Sequence, residues 1–273
     1  MVSSETTDQP AWDAALLRDP HTVIDKRTRV RRMFAAIAPS YDLNNRLHSL
    51  WMDQSWRRRA VRLASPTAGD RIVDVACGTG DLTLCFARAL AALRGGALKP
   101  DQALGIDFTY EMLPIARRKS QLEFNAGASP APNPDVIRYV NGDALSLPLP
   151  DACADVVSIA FGIRNVSDPA AALREFRRVL RPGGRVIVLE FSLPRNPLLR
   201  GLYNFYFRKI LPRTATLISG DKTGAYKYLP ESVNTFIGRE SMIQMMSDAG
   251  FEQVTQQTMT FGVCVGYRGI ARI

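Results

Sequence analysis

The sequence predicts an α/β protein built on a mostly parallel, doubly wound sheet. Three observations carry that expectation. Ile72-Val73-Asp74-Val75 has the Val/Ile composition of a buried parallel strand, and it breaks at Gly78 and Gly80 into the helical text Asp81 to Leu90. Short apolar runs recur at 103–107, 136–140 and 154–161, separated by helical text, which is the alternation of a parallel sheet. A last helix, 238–249, precedes two strand-like runs, 251–258 and 261–268, that pair to close the sheet.

The first strand, turn and helix make a nucleotide crevice. Glycine lets the backbone approach a ligand, and a helix start presents uncommitted N–H groups. A dinucleotide fingerprint requires a third glycine where Thr83 stands, and Asp81 sits badly beside a pyrophosphate. A sulfonium with an amino-acid tail suits the site better, its carboxylate on the turn and its cationic groups near Asp74 and Asp81. The text Asp-x-Ala-x-Gly-Thr-Gly-Asp over 74–81 resembles motif I of the class I S-adenosylmethionine-dependent methyltransferases. On that resemblance Asp74, Gly78, Thr79, Gly80 and Asp81 are expected to hold S-adenosylmethionine.

A chain of 273 residues is long enough for one large domain. Its formal net charge of +9 favours an anionic partner, either nucleic acid or a membrane surface. Cys77, Cys85, Cys153 and Cys264 lack metal-type spacing, so reduced thiols in a cytoplasmic protein and no metal site are expected. No apolar run approaches the ~20 residues of a spanning helix, and the polar start is no signal peptide.

In chain order, residues 1–24 read as a flexible tail, disordered or loosely docked, and 25–273 as a single domain, with 25–66 a helical cover. Val30, Met33, Phe34 and Ile37 fall on one helical face with arginines opposite. That face pattern suits a cover helix or contact with phospholipid headgroups. Pro39 then breaks the helix. Tyr41, Asp42, Asn45, Ser49 and Trp56 match the first signature of the ubiquinone/menaquinone biosynthesis C-methyltransferases, which the segment resembles. Asn44, Trp51 and Asp53 stand where that family often has Met, Gly and His.

Asp107 ends the second strand, where an acid can accept ribose hydroxyls or cap the helix at 109–120. Residues 125–135 read as a surface excursion. Asp143 and Ala144 follow the third strand, where class I methyltransferases meet the adenine. Ala160 ends the fourth strand, where the family often has Ser. Gly162-Ile163-Arg164-Asn165-Val166 resembles the family's Phe-Gly-x-Arg-Asn-Val text. Asp168-Pro169 opens a helix through Leu180, and 179–192 resembles the second family signature. Residues 195–213 form an aromatic, basic, amphipathic helix suited to a membrane surface, a lipid-pocket mouth or an ordinary lid, within an insertion at 195–235. Tyr226-Lys227-Tyr228-Leu229-Pro230-Glu231-Ser232 matches another family block.

The resemblance spans roughly Arg29 to Tyr267. It implies a Rossmann-like class I methyltransferase fold, with a mostly parallel seven-stranded sheet, helices on both faces and the N-terminal cover. It also implies methyl transfer from S-adenosylmethionine to a ring carbon of a polyprenylated quinol. The acceptor is expected to be demethylmenaquinol, with 2-methoxy-6-polyprenyl-1,4-benzoquinol or another lipid or phenol as alternatives. An aromatic carbon attacks well only after a neighbouring hydroxyl ionises, so the site needs a cation or a base. Arg164 is the expected cation, although an arginine there can equally pair with a carboxylate. Asp53, alone or through a water shared with Arg164, is the expected base. Tyr41 and Tyr228 are expected at the ring with Asn45, Asn165 and Trp51, the last narrowing the mouth. His21 and His48 match no functional position. The expected partners are the quinol, the inner face of an anionic membrane in peripheral contact and a second copy of the chain, without nucleic acid.

Overall fold

The computed structural model describes residues 10–96, 98–124 and 137–272. Strands β1 (Ile72–Val75), β2 (Ala103–Asp107), β3 (Ile137–Asn141), β4 (Ala154–Ala160), β5 (Leu180–Phe191), β6 (Phe251–Met259) and β7 (Cys264–Ala271) form one seven-stranded sheet. The order is β3-β2-β1-β4-β5-β7-β6. Only β7 runs antiparallel to its neighbours, so the expected parallel sheet with a closing pair is what forms.

Alternation along the strands builds two cores. Val157, Ile159, Val186 and Val188 pack under α6 (Pro169–Val179) and α10 (Arg239–Asp248). Val156, Ile187 and Leu189 face the other way, under α3 (Met52–Ala64) and α4 (Asp81–Leu93). Residues two apart share a sheet face, which is why apolar runs covered on both sides show no polar alternation. Further along that second face, α5 (Leu113–Phe124) packs on β2 and β3 through Leu113, Ala116 and Tyr139. The strand order reverses between β1 and β4, and a ligand crevice opens at the carboxyl ends there.

A third core lies over that edge. It joins α1 (Lys26–Ile37) to α7 (Pro197–Phe205), α8 (Leu211–Ser219) and α9 (Ala225–Asn234) through Met33, Phe207, Leu211 and Tyr228. Residues 10–24 depart from the expected flexible tail. Trp12 is buried and stacks on Tyr228 with ring centroids 4.3 Å apart, and its backbone N–H donates to Thr223 O. The remainder of that tail, and the excursion expected at 125–135, lie outside the described residues.

Two helical expectations are also corrected. Pro39 does not end the helical path: a 3-10 turn at Ala38–Ser40 leads straight into α2 (Tyr41–His48). The break falls later, at Leu50 and Trp51, both with positive φ. The single helix expected over 195–213 is interrupted by a π turn at Tyr206–Ile210. Pro212 cannot donate to Arg208 O, so the ladder slips and Leu211 N–H reaches Tyr206 O instead.

Candidate active site

The crevice begins where β1 ends. Ala76, Gly78 and Gly80 all have positive φ, and α4 starts at Asp81. Gly80 has φ +83°, and a Cβ there would lie 2.7 Å from the Tyr139 hydroxyl, so the turn admits only glycine. Asp107, at the end of β2, reaches back to the turn. It accepts Gly78 N–H and Thr109 N–H, each at 2.7 Å. Asp107 therefore borders the crevice while its two oxygens hold backbone N–H groups, Gly78 in the turn and Thr109 just before the next helical segment.

Asp107, Gly78, Asp143, Ala144 and Ala160 line one cleft of about 810 Å³. Asn165 and Tyr41 line its far end. Arg27 and Phe108, missed in the sequence, complete the end near β3. The Arg27 guanidinium lies 4.5 Å from the Phe108 ring centroid and pairs with Asp143 at 2.7 Å. The only clue to Arg27 was a basic face on a cover helix; nothing local joined it to Asp143.

Three acids expected together are separated. Asp74 does not line the cleft. It lies beneath the turn and accepts the hydroxyls of Thr83 and Ser158, each at 2.7 Å, tying α4 and β4 to β1. Burial pushes its carboxyl up to about 6, against those hydrogen bonds. Burial also pushes Asp107 up to about 6. Asp81 points to the opposite side, into the hands of Arg46, Lys119 and Gln54. Burial acts to raise its carboxyl, but the charges of Arg57 and Lys119 hold it well below the usual carboxylate range. Thr79 is also turned away, donating to Asp42. The turn is thus held by Asp74, Thr79 and Asp81 from behind, and the cleft is lined from the front by other residues.

A second cavity of about 630 Å³ shares Phe34, Tyr41 and Phe161 with the first. It lies between the N-terminal helices and α9. Asn45, Asp53, Tyr228 and Arg164 line it as expected, with Arg57 and Phe191 added by the fold. Arg164 is buried and pairs with Glu190 at 2.6 Å, while its Nη1 also donates to Phe161 O and its Nε to Ser232 Oγ. The carboxylate-pairing reading of Arg164 therefore holds. Even so, its Nη2 makes no hydrogen bond among the described residues, and Arg164 borders the cavity.

Asp53 is likewise engaged. Its carboxylate pairs with Arg57 and accepts Ser49 Oγ–H at 3.0 Å and Gln54 Nε2–H at 2.9 Å. Those bonds engage both carboxylate oxygens, and Arg57 becomes a second cation at the cavity, 5.4 Å from the Phe161 ring centroid. Arg57 lies one helical turn after Asp53, a spacing the sequence carried openly. Tyr228 donates to Asn165 Oδ1 at 2.9 Å, which fixes both side chains between the cavities. Burial raises the hydroxyls of Tyr41 and Tyr228, so both stay neutral donors.

Trp51 does not narrow any mouth. It is 56% exposed and lines neither cavity. Its φ of +60° explains why the family it resembles often has Gly there. Neither histidine reaches the cavities: His21 bonds Ser232 O and His48 bonds the Tyr206 hydroxyl. Another residue missed in the sequence is Lys26, buried with its ammonium on the carbonyls of Arg164 and Val166, each at 2.8 Å. It clamps the turn that carries Arg164, and burial lowers it to about 8.

The ubiE/COQ5 methyltransferase family model matches residues 22–271. A demethylmenaquinone methyltransferase of Thermus thermophilus is 46% identical over 237 residues, covering 87% of this chain and 99% of its own. A ubiquinone/menaquinone biosynthesis C-methyltransferase UbiE of Geobacter sulfurreducens is 40% identical over 250 residues, covering 91% of each. Among solved structures, a Thermotoga maritima SAM-dependent methyltransferase, described as a possible histamine N-methyltransferase, aligns with TM-score 0.58 at 21% identity. That alignment covers 89% of this chain and all of the other, and at such identity the likeness is one of fold.

Proposed function

The chain belongs to the ubiE/COQ5 methyltransferase family, and from that premise we propose that it methylates a ring carbon of a reduced polyprenyl quinol, converting demethylmenaquinol to menaquinol. The benzoquinol of ubiquinone biosynthesis is the second acceptor to weigh, since one similar protein is named for both quinones. The observation that supports the reading is the junction of the two cavities at Phe34, Tyr41 and Phe161. One cavity ends in glycine turn and acids; the other is aromatic with guanidinium corners.

S-adenosylmethionine supplies an activated methyl group. The residues that would hold it are Gly78, Asp107, Asp143, Ala144 and Ala160. Their fit rests on the glycine-only turn at Gly80, the β2 carboxylate facing the cleft and the Asp143–Ala144 wall. In the second cavity Arg164 Nη2 and Arg57 provide positive charge beside the ring, which favours loss of a hydroxyl proton. Ionisation of that hydroxyl, its proton passing to water, makes the adjacent ring carbon nucleophilic; that carbon gives up its own proton to water after methyl transfer, and an oxidised ring offers no such carbon. Phe34, Tyr41 and Phe161 hold the ring against the cleft, and alignment of this kind carries much of the acceleration. Asp53 acts through Arg57, keeping the guanidinium in place, rather than as the base.

Within 25–273, the segment 25–66 serves as cover and 195–235 as lid over the second cavity. No helix among the described residues is long and apolar enough to cross a membrane. Leu198, Leu202 and Phe205 stand exposed along α7 and Leu217 on α8, a ridge suited to peripheral contact with the inner face of the cell membrane. The decisive experiment incubates the protein with S-adenosylmethionine and each reduced quinol, then identifies products by mass spectrometry. Ring-methylated menaquinol is expected; a methylated benzoquinol alone would shift the assignment, and no product from either would refute it.

A further inference from the structure

On the far side of β5 from the ring pocket lies a third cavity, of about 770 Å³. Its floor carries Arg239, Tyr267 and Met242, and Arg195 and Arg200 stand at its rim. It opens at the first turn of α10. The helix is preceded by Gly238, whose lack of a side chain leaves that end uncapped. The N–H groups of Arg239, Glu240 and Ser241 have no acceptor inside the helix.

Several donors here remain uncommitted. Tyr267 is 4% exposed and lines the cavity, yet its hydroxyl has no hydrogen-bond partner among the described residues. Arg239, 8% exposed, uses Nε on Ser192 Oγ and Nη2 on the carbonyls of Leu193 and Gly262, and its Nη1 has no acceptor among the described residues. Among the described residues Arg200 uses only Nε, on Pro194 O. Ser192 accepts from Arg239, and its own proton finds no acceptor among the described residues.

The acids present do not neutralise these groups. Glu190 is taken by Arg164, and Glu240 by Arg195. Arg200 and Arg239 therefore rest on carbonyls and the Ser192 hydroxyl, two positive charges without a carboxylate partner among the described residues. Burial and the like charges of Arg195 and Arg200 hold the Arg239 guanidinium below its usual value, as expected where cations gather.

We propose that this cavity binds a phosphate group, received by Arg200, Arg239 Nη1, the Tyr267 hydroxyl and the first N–H groups of α10. Guanidinium groups and a helix start are the two protein devices best suited to a phosphate. The cavity shares no lining residue with the cleft and only Phe191 with the ring pocket, so its ligand is independent of the catalytic reading. The phosphate can belong to a soluble monoester or to a lipid headgroup, the latter favoured by the exposed Leu198 and Leu202 on the helix that bears Arg200.

The test uses the full chain, with glycerol 3-phosphate in calorimetry and vesicles of phosphatidylglycerol or phosphatidylcholine in sedimentation. Arg200→Gln and Tyr267→Phe are compared with Arg213→Gln, a charge-matched control outside the cavity. S-adenosylmethionine affinity, measured in parallel, is expected to stay constant and reports correct folding. Saturable binding of glycerol 3-phosphate, weakened about tenfold by Arg200→Gln and less by Tyr267→Phe, supports a soluble ligand. Binding only to phosphatidylglycerol vesicles, weakened more by Arg200→Gln than by Arg213→Gln, supports a headgroup. No binding to either probe, or equal loss in Arg200→Gln and its control, overturns the proposal.

Discussion

The two cavities that meet at Tyr41 are charged in opposite ways. Beside β1, the buried carboxylates of Asp107, which lines the cleft, and Asp74, beneath its turn, are held by neutral donors: N–H groups from Gly78 and Thr109, and hydroxyls from Thr83 and Ser158. In the aromatic pocket, each buried carboxylate has an arginine, Asp53 with Arg57 and Glu190 with Arg164. Asp107 and Asp74, without a cation, make the glycine-turn end of the cleft a region that gains from a positive ligand, whereas Arg27 holds Asp143 at the end near β3. Arginines held by acids but with free donors make a region that gains from a negative one. A charged donor and a ring that ionises can then meet without either site having to serve both charges.

The sharpest way to break that contrast is Arg164→Ala. It strands Glu190 in the interior, and losing one partner of a buried pair costs about 3–5 kcal/mol. Thermal unfolding should show this, with turnover at least tenfold lower and S-adenosylmethionine affinity by calorimetry little changed. Unchanged turnover would remove Arg164 from the chemistry.

The cleft's side of the contrast has its own pH signature. Asp74 and Asp107 have folded values of about 6, above the 3.8 of an unperturbed aspartate. The folded protein therefore holds more protons than the unfolded chain between these values. Their contribution is fully present below about 4 and is lost as pH rises through about 6, up to about 3 kcal/mol for each. Asp81 works with the opposite sign, since its lowered value gives stability above 3.8 that is lost in acid. Asp74→Asn should flatten the fall between pH 4 and 6 in denaturant titrations of the ligand-free protein. An unaltered slope would mean that Asp74 is not the titrating group.

The smallest effect is expected at Trp51, outside both cavities. Trp51→Gly relieves a left-handed backbone and should raise stability by up to about 1 kcal/mol, with kcat/KM unchanged. A marked loss of kcat/KM would return Trp51 to the substrate mouth.

What was legible in the sequence divides along the same line. The sheet, its crevice and Asp107 come from short contiguous motifs in which residue type and backbone are locally linked. Gly80 announces a turn because no other residue can adopt it there. The ring pocket joins residues from α2, α3, the Arg164 turn and α9, so its members could be named only through resemblance, and their charge pairing could not be read. Asp53 looked available as a base because the sequence does not say that Arg57 folds onto it. Asp81 looked like part of the crevice because a motif records proximity along the chain and not the direction of a side chain. The docking of Trp12 could not be read because its burial depends on Tyr228, which lies more than 200 residues away.

The most direct test of opposite charge in adjoining cavities is the pH profile of single-turnover methyl transfer to the reduced quinol. A free phenol ionises near 10. The arginine-lined pocket predicts a rate limb well below that in the wild-type protein, displaced upward in Arg164→Lys while donor affinity stays constant. A limb at the same pH in both proteins would contradict the account.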